Sequence, residues 1–154
     1  MAVFSVEEYE NVVIEGANET KATPLPEGSY SDVIIDSVRI KKVKRNDGTE
    51  APVLEIIHHL TNPSEELKQL LGGRDKITVR QDIWLDVTET GAIAFGPNQN
   101  LGLGRLREAA GMNSAKKFSF NQLVGVGPLK IHVGIKTQES TGDSFNTVTK
   151  VEKS

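Results

Sequence analysis

Tyr30-Ser31-Asp32-Val33-Ile34-Ile35-Asp36-Ser37-Val38-Arg39-Ile40-Lys41-Lys42-Val43 is the stretch on which the fold turns. It is rich in Val and Ile, and Arg39 and Lys41 alternate with Val38, Ile40 and Lys42, which predicts one long strand. The alternation changes phase near Val33–Ile35. An extra residue in one strand of a pair changes which side the following residues face. A bulge or sharp bend is therefore expected here, as where one strand serves two sheets or curls round a barrel. Asn46-Asp47-Gly48 follows; these residue types accept the positive φ of a tight hairpin, so Pro52–Leu60 is read as the second strand, folded back on the first.

Downstream, Asn62-Pro63-Ser64-Glu65 reads as a helix start capped by Asn62, with Pro63 in the first turn and Leu67, Leu70 and Leu71 forming the apolar side before Gly72-Gly73 stops it. Strand three is expected over Lys76–Val87: Ile77, Val79, Ile83 and Leu85 on one face, Thr78, Arg80, Asp82, Trp84 and Asp86 on the other. A Gly/Asn-rich loop, Gly91–Asn100, leads to a second helix capped by Asn100, with Leu103, Leu106 and Ala110 inward. A short turn at Ser119–Val124 precedes strand four, Leu129–Thr137, and strand five, Ser144–Val151, follows the turn at 140–143. Five strands with the principal helix between the third and fourth predict a mainly β, five-stranded OB-fold, a Greek-key barrel with a short helix inserted between strands 2 and 3. A generic antiparallel α+β sandwich is the alternative.

Before this domain, residues 24–154, runs an acidic N-terminal arm, residues 1–23, in which Val3–Ile14 suits a helix or a strand. The charge is unevenly spread. The net charge is −3, yet residues 1–36 hold eight acids against one base, Lys21, while Arg39, Lys41, Lys42, Lys44 and Arg45 fall within seven residues uninterrupted by an acid. A run of this kind is either a solvated face or a surface for a polyanion. On the expected barrel it climbs the end of strand one into the strand 1–2 loop, which flanks that fold's binding groove, and this favours the polyanion.

Leu25-Pro26-Glu27-Gly28-Ser29-Tyr30, Arg105-Leu106-Arg107-Glu108-Ala109-Ala110-Gly111, Leu123-Val124-Gly125 and Phe145-Asn146-Thr147-Val148, in that order, resemble bacteriophage-encoded OB-fold single-stranded-DNA-binding proteins and related phage domains of unassigned function. The resemblance spans about residues 24–151. It implies a replication or recombination accessory protein that coats exposed single strands without catalysis.

Sequence-tolerant coating needs cations for phosphates and π-faces for bases. The candidates are Arg39, Lys41, Lys42, Lys44 and Arg45 at the rim, Arg80, Lys130 and Lys136 along the sheet, and Trp84 and Phe145 as stacking platforms. Trp84 sits on an otherwise polar strand face, where the alternative is cover by the Asn62–Gly73 helix; for Phe145 the alternative is the core, and Tyr30 is expected at the barrel mouth. Asp82 and Asp86 on Trp84's face would repel phosphate. On one extended strand they lie about 13 Å apart, too far to share a pair of metal ions, and a nuclease would need Glu55 or another acid brought to them.

Chemistry of other kinds has little to stand on. There is no Cys, hence no thiolate nucleophile, iron–sulfur cluster or Cys-bound zinc. His58 and His59 are strand neighbours that point to opposite faces and cannot chelate together. No GxSxG, Walker A or HExxH occurs, so no catalytic residue, metal or cofactor is expected. No apolar run approaches membrane-spanning length and no basic leader opens the chain, so a cytoplasmic protein is expected, in the host if phage-encoded. The expected partner is single-stranded DNA or RNA, with replication or recombination proteins recruited through the arm and room for a homo-oligomer. The functional alternative is a protein–protein interaction module on the same fold, in phage assembly or host modulation, which the negative net charge favours.

Overall fold

The computed structural model describes residues 5–114 and 116–154, and in it the chain is mainly β. Strands β1 (Gly28–Lys44), β2 (Glu50–Leu60), β3 (Ile77–Trp84), β4 (Leu129–Thr137) and β5 (Ser144–Lys153) form one antiparallel, open sheet in the order β3-β2-β1-β4-β5. Helix α1 (Val6–Glu10) precedes it, α2 (Glu65–Leu70) joins β2 to β3, and α3 (Leu101–Ala109) and a 3₁₀ turn (Phe120–Leu123) lie between β3 and β4. Val3 and Phe4, the start of the Val3–Ile14 stretch, lie outside the described residues. Among the described residues no helix is long and apolar enough to cross a membrane.

The phase change in β1 is physical. Its register jumps between Tyr30 and Val33 against β4, and between Ile35 and Ser37 against β2. Asp32 adopts φ 57°, which Asp tolerates better than most residues. The first half of β1 therefore pairs with β4 and the second with β2, and Val33 is opposite both Leu60 and Leu129. Where β4 leaves β1, the segment before it takes over: Ile35 N–H donates to Val126 O at 3.0 Å and Gly125 N–H donates to Ile35 O at 2.8 Å. Gly127 permits this approach, because a Cβ there would lie 2.7 Å from Val33 O.

Val33 and Ile35, Leu54 and Ile56, Ile77 and Val79, and Leu129 and Ile131 bring the inward faces of four strands into one core, which Leu103, Leu106 and Ala109 of α3 cover. The edge strands β3 and β5 come close without pairing, and α3 packs on both. His58 is fully buried on the core side of β2, its Nε2 2.8 Å from Gln81 Oε1 and its Nδ1 without a partner. Burial lowers its pKa below 6.5, so the ring is held neutral.

Several local expectations need correction. The cap of α2 is Ser64, whose hydroxyl accepts from Leu67 N–H at 3.2 Å, so Asn62 and Pro63 precede the helix. In this short helix Leu67 and Leu71 reach the core, while Leu70 is exposed. Asn100 does not cap α3 with its side chain. It takes a left-handed conformation, accepts from Asp86 N–H at 2.7 Å and donates to Asp86 O and Ala94 O, which latches the loop after β3. β3 ends at Trp84, and the Asp86 carboxylate accepts from Asn100 N–H at 2.6 Å. Asp86 is thus tied to the loop beyond the strand.

Candidate nucleic-acid interface

On the outer side of β1, β2 and β3, two cross-strand rows carry the candidate residues. Arg39, Glu55 and Asp82 are in register, and two positions along so are Lys41, Val53 and Trp84. Arg39 grips Glu55 with both ends of its fork, Nε to Oε1 at 2.8 Å and Nη2 to Oε2 at 3.3 Å. Lys41 Nζ lies between the two acids, 2.9 Å from Glu55 Oε2 and 3.0 Å from Asp82. Arg80 Nε stands 3.8 Å from Asp82 Oδ2.

Glu55 is only 8% exposed, and the hydrogen bonds from Arg39 and then Lys41 hold its carboxyl down to about 2 against the opposing effect of burial. The fold does bring Glu55 beside Asp82, but cations bridge the pair. Among the described residues no group of three or more His, Asp or Glu is placed to hold a metal ion.

Trp84 closes the second row and is 50% exposed, so α2 does not cover it. Val53, beside it in register, is fully buried. The remaining members of the basic run occupy the hairpin end. Lys42, Lys44 and Arg45 are exposed, and among the described residues none of them forms an ion pair. Arg45 Nη1 donates to Thr49 Oγ1 at 3.4 Å; Thr49 in turn donates its N–H and hydroxyl to Asp47, and these bonds lower the Asp47 pKa. Glu50 lies opposite Lys44, so two acids temper the tip.

Lys130, Lys136 and Phe145 lie on β4 and β5, across β1 from β2 and β3. Lys136 is opposite Phe145, which is 46% exposed. Lys130 is opposite Glu152, whose carboxylate takes His132 Nε2 at 2.7 Å and Lys150 Nζ at 3.0 Å; these bonds lower it to about 2. Seven of the ten candidates thus lie on β1–β3 and the β1–β2 turn, Lys136 and Phe145 pair at one end of β4 and β5, and Lys130 stands at the other end of β4, about 20 Å away.

The segment leading into β1 runs against the Lys136–Phe145 end of β4 and β5. Asn146 brackets Leu25, accepting its N–H and donating to its carbonyl, both at 2.9 Å, and Glu27 Oε1 accepts from Ile135 N–H at 3.2 Å. Leu25 is buried in the core, and Tyr30 packs half-buried with its hydroxyl donating to Pro26 O at 2.6 Å. Residues 6–23 are exposed throughout.

The sequence reading passed over a groove of about 740 Å³ bordered by Phe95, Phe118, Phe120, Arg107 and Lys116. The signal was the apolar stretch Ala92-Ile93-Ala94-Phe95 inside a loop otherwise built of Gly, Asn and Pro. Neither protein-family models nor curated proteins match this chain.

Proposed function

We propose that the protein binds single-stranded nucleic acid, DNA in the first instance, without sequence preference, and coats it in replication or recombination, acting in the cytoplasm without catalysis or cofactor. One observation carries the reading. An indole half open to solvent ends a sheet row that begins in the basic strand β1, and that strand's tip carries three cations without an ion pair among the described residues: Arg45, and Lys42 and Lys44, which alternation turns to the other side of the strand from Lys41. A flexible strand that crosses the hairpin end from one side of β1 to the other meets cations for its phosphates at the tip and a ring for a base on the sheet. Arg39, Lys41 and Arg80 form a second layer whose charge is partly neutralised by Glu55 and Asp82.

The sheet is in keeping with an OB-type barrel. Its strand order, a bulged β1 shared between two halves, the approach of β3 to β5 and the helix packed across that gap all support the reading. On such a barrel the Trp84 face is the strand 2–3 face.

The test is charge reversal at the tip. Lys42→Glu, Lys44→Glu and Arg45→Glu together remove three phosphate contacts, and the salt dependence of log K should fall by about 0.7 for each. A filter-binding titration with oligo-dT at two ionic strengths measures it. Affinity and salt slope unchanged from the parent would refute the assignment of the tip. A protein–protein interaction module is the second reading, favoured by the neutralised Arg39–Glu55–Lys41–Asp82 network.

A further inference from the structure

The groove beside α3 is chemically unlike the rest of the surface. Three phenylalanines and two cations border it, and among the described residues no carboxylate does, in a chain that is anionic overall. Arg107 is held rigidly: its guanidinium lies 4.4 Å over the Phe118 ring, Nε donates to Met112 O at 3.1 Å and Nη2 donates to Ser114 O at 3.3 Å. Phe120 meets Phe118 edge-on, with ring centroids 6.0 Å apart. Phe95 stands at the border 95% exposed, and Ile93 beside it is also exposed. A large ring left that open on a loop latched by Asn100 marks a contact surface.

The arm carries the complementary chemistry. Val12, Val13 and Ile14 are all more than half exposed and lie between Glu10 and Glu15, with Glu7 and Glu8 just before them. Apolar side chains bracketed by acids match apolar rings bracketed by cations, both in burial and in sign of charge. Nucleic acid would answer the cations and rings but not the aliphatic Ile93, and it offers no counterpart to the exposed arm.

We propose that the segment 7–15 of one copy docks in the Phe95–Phe118 groove of a second copy, Val12–Ile14 against the rings and Glu10 and Glu15 toward Arg107 and Lys116. An arm given to one neighbour and a groove offered to another make a head-to-tail contact, which builds a ring if it closes and a row if it does not. This goes beyond the nucleic-acid reading and does not rest on it.

Sedimentation velocity of the full chain over a wide concentration range should show association that weakens as salt rises. Phe95→Asp and Ile14→Asp, both at exposed positions, should each weaken it at least tenfold. Lys116→Glu should do the same, and adding Glu15→Lys to it should restore part of the loss. Replacing Phe95 with a photo-crosslinking residue, in an equal mixture of heavy-isotope and ordinary copies, should give crosslinks to the arm that join heavy to light chains. The proposal is overturned by a chain that stays monomeric, by association indifferent to both Asp variants, or by crosslinks confined within single copies. It is equally overturned if Phe95→Asp weakens oligo-dT binding while Ile14→Asp leaves assembly intact, which would make the groove part of a nucleic-acid path.

Discussion

Glu55→Gln separates the two roles its carboxylate holds on the sheet face. The amide keeps the shape but removes the charge that Arg39 and Lys41 share, at 2.8 and 2.9 Å. Arg39 loses its acid outright, while Lys41 keeps Asp82 at 3.0 Å. Three bases and two acids become three bases and one, so the face should gain about one phosphate contact. The salt slope of log K for single strands should steepen by about 0.7. A hydrogen bond between a cation and a phosphate is worth about 1.5–3 kcal/mol, so affinity at low salt should rise about tenfold or more. Stability should fall by about 1–3 kcal/mol, nearer the lower figure because the Arg39 side chain is 68% exposed and its pairing is screened by solvent. Trp84 fluorescence against added oligo-dT gives the affinity, and urea unfolding gives the stability. A variant that is less stable but binds no tighter, with an unaltered salt slope, would show that nucleic acid does not run across this face.

Gly127→Ala should destabilise the protein by about 1–3 kcal/mol, the range for forced overpacking, because its Cβ would sit 2.7 Å from Val33 O where backbone must move; a urea midpoint within error of the parent would refute the close approach. Acid should weaken the fold in two stages. His58 is held neutral with a pKa below 6.5, so the unfolded chain takes up its proton first: that stability is present above pH 6.5 and is lost as pH falls below it, by at most about 1.4 kcal/mol per unit. Glu55 and Glu152 are held at about 2 against 4.5, so their contribution is present above 4.5 and is lost between there and about 2. Urea unfolding at pH 7.5, 5.5 and 3.5 reads both stages, and a flat profile from 7.5 to 5.5 would remove the case for a neutral His58.

Much of the sheet was legible because half-buried strands announce themselves by alternation. Leu129, Ile131 and Val133 marked β4 to the residue, and the phase slip in β1 marked a bulge. Caps were less legible, since Asn62 and Ser64 are both good caps and which one faces the helix depends on how β2 delivers the chain. The charge network was readable in part. Arg39 and Glu55 are equally far from Asp47 at the hairpin centre, so the turn alone makes them cross-strand neighbours. The basic run, taken by itself, hides that pairing. Asp82 joins through the register of β3, which depends on the length of the α2 connection. The Phe95 groove was beyond the periodicity rules, because it is assembled from α3 and the loops on either side of it.

The proposed grip on flexible single strands depends on a locally cationic face carried by an anionic chain. A Trp84 fluorescence titration at 50 and 200 mM salt, with oligo-dT and with duplex of equal length, tests it directly. Quenching by oligo-dT that weakens with salt by about 0.7 in log K per log salt for each phosphate held, and much weaker binding of duplex, is the predicted result. No spectral change at low salt, or duplex bound as tightly as the single strand, would contradict it.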